Sequence, residues 1–463
     1  MQKLMTRVVQ IGLALALVSP ALAQQKQNPP PVGAPRDLKL PPKRELTLPN
    51  GMAVTLVPFG TVPKVAVMLA VRAGRVNETA DQVWLSDLTG DLIEEGTTSI
   101  PAAQLAERTA AMGGDLSVNV GYDQTTIGGE VLGERAADMV RLVADVARNP
   151  LLPASELGRL KADRLRNLSI QKSQPQPVAE EKFRAILYGA HPYGRLFPDE
   201  KKFQALTLNQ VRDFHRVNFG ARRAHLYVVG VFDPGTVEGA VNQAFGDWNS
   251  GSQPAAAQSS SRAQKTLVLL DRPNAVQSTI IMGLPVPRPV DQDYVPLLVT
   301  NSLLGGAFVS RITSNIREQK GYSYAPFSAV TDLYRQSHWA EQADVTSNVT
   351  GASLKEIFKE IDRLRTEAPP APELTGIEKN LAGVFALQNS SRLGVIGRLQ
   401  FVDLHGLPDA YLTDYVKRVL AVTPEQVKAV TQKYLQPDSM TIVVVGDKKT
   451  VAEQVKPYER AAR

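Results

Sequence analysis

The chain has 463 residues, 43% of them hydrophobic and 21% charged, with a formal charge of +6 and no cysteine. That length and balance belong to a globular protein with room for several cores. The missing cysteine excludes disulfides, zinc–thiolate sites, a cysteine nucleophile and an acyl anchor on an N-terminal cysteine, and the scattering of Lys and Arg among acids argues against nucleic-acid binding.

In chain order, Lys3 and Arg7 precede the apolar run "IGLALALV", and "SPALA" ends in a small-x-small pattern. Residues 1–23 are therefore expected to be a signal peptide cleaved after Ala23, which places the mature chain in a bacterial periplasm or otherwise outside the cytoplasm. The apolar run is too short to cross a hydrocarbon core of about 30 Å, and no later run is long enough, so a mature chain without a membrane span is expected. Residues 24–43, rich in Gln and Pro, read as an extended tether. "MAVTLVPF" and "KVAVMLAVRAG" read as strands, residues 80–95 and 102–112 as helices, "DLSVNVGYDQTTIGGEVL" as a hairpin, and 134–147 and 154–172 as helices again. "NSGSQPAAAQSSSRAQ", residues 249–264, has the composition of a solvated linker.

The segments on either side of that linker resemble each other. "TLNQVRDFHRVNFGARRAHLYVVG" (207–230) and "TPEQVKAVTQKYLQPDSMTIVVVG" (423–446) both open on a Thr N-cap, place Gln-Val at one offset of an amphipathic helix, and end as a β-branched strand closed by Gly. "NPLLPASELGRLKADRLRNL" (149–168) and "APPAPELTGIEKNLAGVFAL" (368–387) share a Pro-containing turn, an early Glu-Leu and a long helix. An internal duplication follows, with one half over 44–248 and the other over 265–455. Strands and helices mix without strict βαβ alternation. The expected class is α+β, two duplicated α/β-sandwich halves, each a mostly antiparallel sheet with helices packed on one face, joined by a flexible linker.

Around "LSDLTGDLIEEGTTS" (85–99) an apolar stripe of Trp84, Leu85, Leu88, Leu92 and Ile93 defines a helix, and Asp87 and Asp91 share a neighbouring face with Gly90 between them. Two carboxylates at i and i+4 are the start of a hard-cation site, but they need further oxygen ligands, and the plainer reading is a pair of solvated acids on a surface helix. The five histidines, His191, His215, His225, His338 and His405, never fall at helical-neighbour spacing, so no local histidine pair exists for zinc. His191, in "GAHPYGR", reads as a turn residue.

"RAGRVNETADQVWLSDLTGDLIEEGTTS" resembles the first-motif segment of the pitrilysin/insulinase family of zinc peptidases, in which an Ala-Gly-x-x-x-Glu lead-in precedes a helix bearing H-x-x-E-H and a closing Gly-Thr. Counting back from Gly96-Thr97, the resemblance puts the family's two zinc histidines on Asp87 and Asp91 and its general-base glutamate on Gly90. A glycine cannot take a proton. The family's third ligand falls in "DRLRNLSIQKSQPQP", near Arg166 and Asn167, neither of them acidic.

In the second half, "NSLLGGAFVSRITSNIREQKGYSYAP" resembles the family's C-terminal segment: a Gly-Gly turn, Ser-Arg on a helix, then R-E-x-x-G-x-x-Y. The resemblance assigns Arg317 and Tyr324 to the pair that reaches peptide substrate near the zinc, a guanidinium fork for a carbonyl or carboxylate and a phenol for developing negative charge. The competing reading pairs Arg317 with Glu318 or Glu341 on the surface and packs Tyr324 in the sheet. A motif kept in one half and erased in the other is similar to the non-catalytic subunits of the family, such as the α partner of mitochondrial processing peptidase and bacterial heterodimeric relatives. The resemblance thus implies a chain inactive alone, binding no metal itself, that contributes Arg317 and Tyr324 to a chamber shared with a zinc-bearing H-x-x-E-H paralogue and helps it hydrolyse peptides. The alternative is a peptide-binding or scaffold protein of the same fold with no catalytic partner.

Overall fold

The structure, a computed structural model, describes residues 40–254 and 261–459. The expected signal peptide, most of the expected tether and the centre of the expected linker lie outside the described residues. One sheet contains β1 (Arg44–Thr47), β2 (Ala53–Pro58), β3 (Lys64–Val71), β4 (Ser117–Val120), β5 (Thr125–Leu132) and β6 (Ala224–Gly230), in the order β1-β2-β6-β3-β5-β4. The other contains β7 (Thr266–Asp271), β8 (Gln277–Pro285), β9 (Phe327–Leu333), β10 (Gln336–Thr346) and β11 (Thr441–Gly446), in the order β7-β11-β8-β10-β9. Without β1 the two orders coincide strand for strand. Each has a single parallel pair, β2 with β6 and β7 with β11, in an otherwise antiparallel sheet. The duplication read from the sequence is therefore a duplication of topology.

Helices that position the site include α1 (Leu85–Glu94), α2 (Ala154–Ser173), α3 (Pro175–Tyr188), α4 (Leu208–Asn218), α5 (Ala371–Gln388), α6 (Arg392–His405) and α7 (Pro424–Tyr434). The repeated Thr-x-x-Gln is a capping box in both copies. Thr207 Oγ1 accepts from Gln210 N at 3.3 Å while Thr207 N donates to Gln210 Oε1 at 2.8 Å, and the Thr423–Gln426 pair repeats this at 3.2 and 2.9 Å. Between α2 and α3 the chain breaks at Gln174, which is extended (φ −98°, ψ 137°) because Pro175 bars the helical region to the residue before it and then starts the next helix itself.

The halves exchange one helix each. Phe183 and Leu187 of α3, from the first half, pack on Ile281, Val443 and Val445 of the second sheet, while Val395, Ile396 and Leu399 of α6 pack on Val57, Ala66, Tyr227 and Val229 of the first. The main cores lie on the opposite sheet faces, under each half's own helices. Both faces of each sheet are thus covered, one by the sheet's own half and one by its neighbour, which the sequence pattern did not foretell. Each fully buried Phe or Leu is worth roughly 1.5–3 kcal/mol, so the exchange ties the halves together. The ends of the linker are pinned as well: Asn249 and Ser250 carbonyls accept from Ala221 and Arg222 at 2.9 Å, and Arg262 N donates to Leu187 O at 3.1 Å.

Candidate functional site

The first-half motif lies on α1, which begins five residues later than the periodicity predicts. Trp84 is left-handed (φ 70°) and helix starts only at Leu85. No side chain at the N-cap satisfies the first amides; Glu78 reaches in from the lead-in instead, accepting from Trp84 N at 3.0 Å, from Ser86 N at 2.8 Å, and from the Ser86 hydroxyl. The Trp84 indole donates to Leu196 O at 3.0 Å and meets Phe197 and Phe203 edge-on. The glutamate of the Ala-Gly-x-x-x-Glu lead-in is a helix cap.

Burial pushes the Glu78 carboxyl up to about 7, against the hydrogen bonds from Ser86 and Trp84 that favour its charged form. A carboxyl raised in the folded state binds its proton more tightly there than in the unfolded chain. Its stabilising contribution is complete below pH 4.5 and is lost as pH rises through 7. Glu78→Gln keeps an acceptor without a charge, so its stability relative to the parent chain should rise by about 3 kcal/mol between pH 4 and 8. Parallel urea-unfolding profiles over that range would refute the assignment.

Asp87 and Asp91 are not the wet side of a helix. Asp87 is 3% exposed, and its carboxylate receives Arg75 Nε at 2.8 Å, Arg75 Nη2 at 2.7 Å and Arg164 Nη1 at 3.1 Å. Asp91 receives Arg164 Nε at 2.6 Å and Arg164 Nη2 at 2.7 Å, and the same guanidinium donates to Asp87 O at 3.2 Å. Arg164 comes from α2, the helix expected to bear the third ligand, and lies two and three residues before Arg166 and Asn167. Arg166 points to solvent and pairs with Asp163. Burial opposes the charge on both Arg75 and Arg164, yet their carboxylate partners hold both pKa values above the ordinary arginine value. Two cations thus balance two anions.

Gly90 has a steric reason. An ideal Cβ there would sit 2.6 Å from Val120 Cγ2 and 3.6 Å from Val118 Cγ1, so β4 closes over the place where a longer side chain would project. Val118 N also donates to Glu94 Oε1 at 2.7 Å, fastening that strand to α1. The residues do not fit zinc: the carboxylates are saturated by guanidinium donors, and among the described residues no three His, Cys, Asp or Glu side chains converge.

The second-half motif is built differently. Ser302–Gly306 and Thr313–Gln319 are π-helical, a wide winding that recurs at functional sites. Gly305 and Gly306 serve close packing and not a special turn, since neither has positive φ. A Cβ on Gly305 would meet Ser328 Oγ at 2.5 Å and Glu341 Oε2 at 2.6 Å, and one on Gly306 would meet Asn301 Nδ2 at 2.5 Å. After the helix, Gly321 takes φ 64° and donates to Arg317 O at 3.1 Å while Tyr322 N returns to Ile316 O at 2.7 Å. This reversal carries Tyr324 back beside Arg317.

The Arg317 guanidinium lies 4.5 Å from the Phe308 ring centroid and 5.3 Å from that of Tyr324, with Nε 3.2 Å from Glu318 Oε1. Tyr324 is 83% and Phe308 70% exposed. Tyr324 therefore does not pack in the sheet, and Glu341 is fully buried, its pKa raised well above normal by burial. The arrangement holds one arginine fork between two exposed rings at the surface, with Val309 and Phe327 exposed nearby in sequence. Phe308 is the member that sequence reasoning missed. His191 is the turn residue expected, its Nδ1 accepting from Tyr193 N at 3.2 Å.

Two duplicated α+β halves with an H-x-x-E-H segment rewritten in the first and an R-E-x-x-G-x-x-Y segment kept in the second define a peptidase-like protein of the zinc-dependent type. Residues 57–197 match the family model for insulinase (peptidase family M16), and residues 205–381 match that for the peptidase M16 inactive domain. The chain belongs to the insulinase family. It is similar to an uncharacterized zinc protease of Mycobacterium tuberculosis, 25% identical over 89% of this chain and 96% of that one, and to one of Bacillus subtilis, 21% identical over 85% and 96%. Its fold is shared with a peptidase M16 inactive domain from Pseudomonas fluorescens (TM-score 0.81, 24% identity, 88% of this chain and 98% of that one) and with a protease from Helicobacter pylori (TM-score 0.82, 20% identity, 88% and 100%). Among the described residues no helix is long and apolar enough to cross a membrane.

Proposed function

We propose that this chain is the non-catalytic, substrate-binding subunit of an exported heterodimeric zinc metallopeptidase. The contrast between its halves carries the reading. In the first, the positions of the zinc ligands and general base hold Asp87, Asp91 and Gly90, locked by arginines and covered by β4. In the second, a half-buried Arg317 stands beside the exposed ring of Tyr324, where a peptide carbonyl and a developing oxyanion can be met. Zinc and the base would come from an H-x-x-E-H paralogue, and relatives named zinc proteases support peptide hydrolysis as the shared reaction.

The test is zinc content and peptidase activity of the purified mature chain, alone and co-expressed with its closest exported H-x-x-E-H paralogue. Neither zinc nor activity alone, with both in a stable one-to-one complex, is the expected result. Activity without a partner would overturn the reading, and a complex no more active than the paralogue by itself would leave a peptide-binding scaffold.

A further inference from the structure

Away from both motifs, a cavity of about 360 Å³ opens where the halves meet. Its wall is made by Arg72, just past β3; by Arg288, in the loop after β8; by Tyr334 and Arg335, at the β9–β10 hairpin; and by Asp403 and His405, at the end of α6. Three guanidinium groups from three separate segments converge on one small volume. Like charges at such spacing repel unless something balances them.

Arg72 and Arg335 stack on the same Tyr334 ring, 4.3 and 5.0 Å from its centroid, and neither forms an ion pair among the described residues. Behind Arg72 stands a fourth cation, Arg223, whose donors go to Arg72 O, Ser252 and Gln253 and not to an acid. The acids nearby are engaged. Asp403 Oδ2 accepts from Tyr227 Oη at 2.5 Å and lies 3.3 Å from His225 Nδ1. Asp123 accepts from Tyr193 Oη at 2.5 Å and Tyr334 N at 3.0 Å. Asp291 accepts from Arg288 N at 2.8 Å and sits 3.6 Å from its Nε. The carbonyls at the C-terminus of α6 add partial negative charge, but Gly406 N satisfies those of Val402 and Asp403.

The balance is positive, and neighbouring groups register it. His405 is pushed down to about 4 by burial and by Arg288 and Arg72, and Arg223 is lowered by burial and by Arg72. The phenol of Tyr334 is lowered chiefly by its hydrogen bond from Arg72. A neutral His405 can still donate one N–H to a ligand.

We propose that this cavity binds a small oxyanion carrying two or more negative charges, gripped by the forks of Arg72, Arg335 and Arg288. Guanidinium forks match phosphate and carboxylate oxygens alike, so inorganic pyrophosphate and citrate are the probes that distinguish the two sources of this chemistry. Titration calorimetry on the full chain at constant ionic strength should give one saturable site for one or both anions. Arg335→Gln, on an exposed hairpin, and Arg72→Gln should each weaken it by about tenfold or more, the loss of one charge-assisted contact. Arg166→Gln, which removes an exposed charge on α2 away from the cavity, should leave it unchanged. Tighter pyrophosphate assigns a phosphate ligand, and tighter citrate a polycarboxylate. No saturable heat with either anion, or equal losses in Arg166→Gln and Arg335→Gln, overturns the proposal.

Discussion

Replacing Arg164 with methionine is expected to lower the free energy of unfolding by about 3 kcal/mol, the cost of removing one partner from a buried ion-pair network. The methionine fills much of the volume, so the loss isolates charge and hydrogen bonding. Asp91 then keeps no cation, and buried Asp87 keeps only the two bonds from Arg75. Asp91→Asn should cost less, because that carboxylate is a quarter exposed and the amide still accepts from Arg164. Combining Arg164→Met with Asp91→Asn should restore part of the loss, since the orphaned charge is then gone. Urea-unfolding midpoints at matched slopes measure all three. If Arg164→Met costs under about 1 kcal/mol, the pairs behave as surface ion pairs and do not structurally replace a metal centre.

The duplication and the repeated helix–strand ends of the two halves were legible in the sequence because each rests on local periodicity or local turn chemistry, whereas the strand order in the sheets was not. Thr-x-x-Gln before an amphipathic run gave α4 and α7, and β-branched runs closed by Gly gave β6 and β11. The Arg75–Asp87–Arg164–Asp91 network was not legible, because its members come from a loop and two helices and meet only in three dimensions. A trace existed: Arg164 lies four residues after Leu160 and four before Leu168, in one stripe, and both leucines are buried. A cation inside an apolar stripe needs an acid opposite, and Asp87 and Asp91 were the acids without an explanation. The start of α1 was misread because a left-handed Trp84 has no composition signal; its cap, Glu78, lies six residues upstream. The helix exchange was hidden for another reason. α3 and α6 look like ordinary amphipathic helices, and nothing in a periodicity says whose sheet a helix covers.

In the proposed complex with a zinc-bearing paralogue, Arg317→Ala is expected to lower kcat/KM for peptide hydrolysis by about 100-fold, the scale found when one charged or oxyanion-directed donor is removed from a desolvated site. Tyr324→Phe separates two uses of the same side chain. It keeps the ring beside the guanidinium, 5.3 Å away, and removes only the hydroxyl. If that hydroxyl donates to charge that develops during reaction, kcat should fall by about tenfold with KM nearly unchanged, because uniform binding is untouched. Phe308→Ala acts through Arg317 and touches no reacting atom. Losing the stacked ring 4.5 Å from the guanidinium frees the fork to rotate, so KM should rise while kcat holds. Size-exclusion chromatography must show the proposed heterodimer intact in each case, since Phe308 and Tyr324 are exposed and a subunit contact would give a different signature, loss of assembly with kinetics of the residual complex unchanged. An intact complex in which Arg317→Ala cleaves peptides at the parental rate would remove the arginine from the chamber. The exposed aromatic pair would then be an assembly surface, with substrate handled entirely by the zinc-bearing subunit.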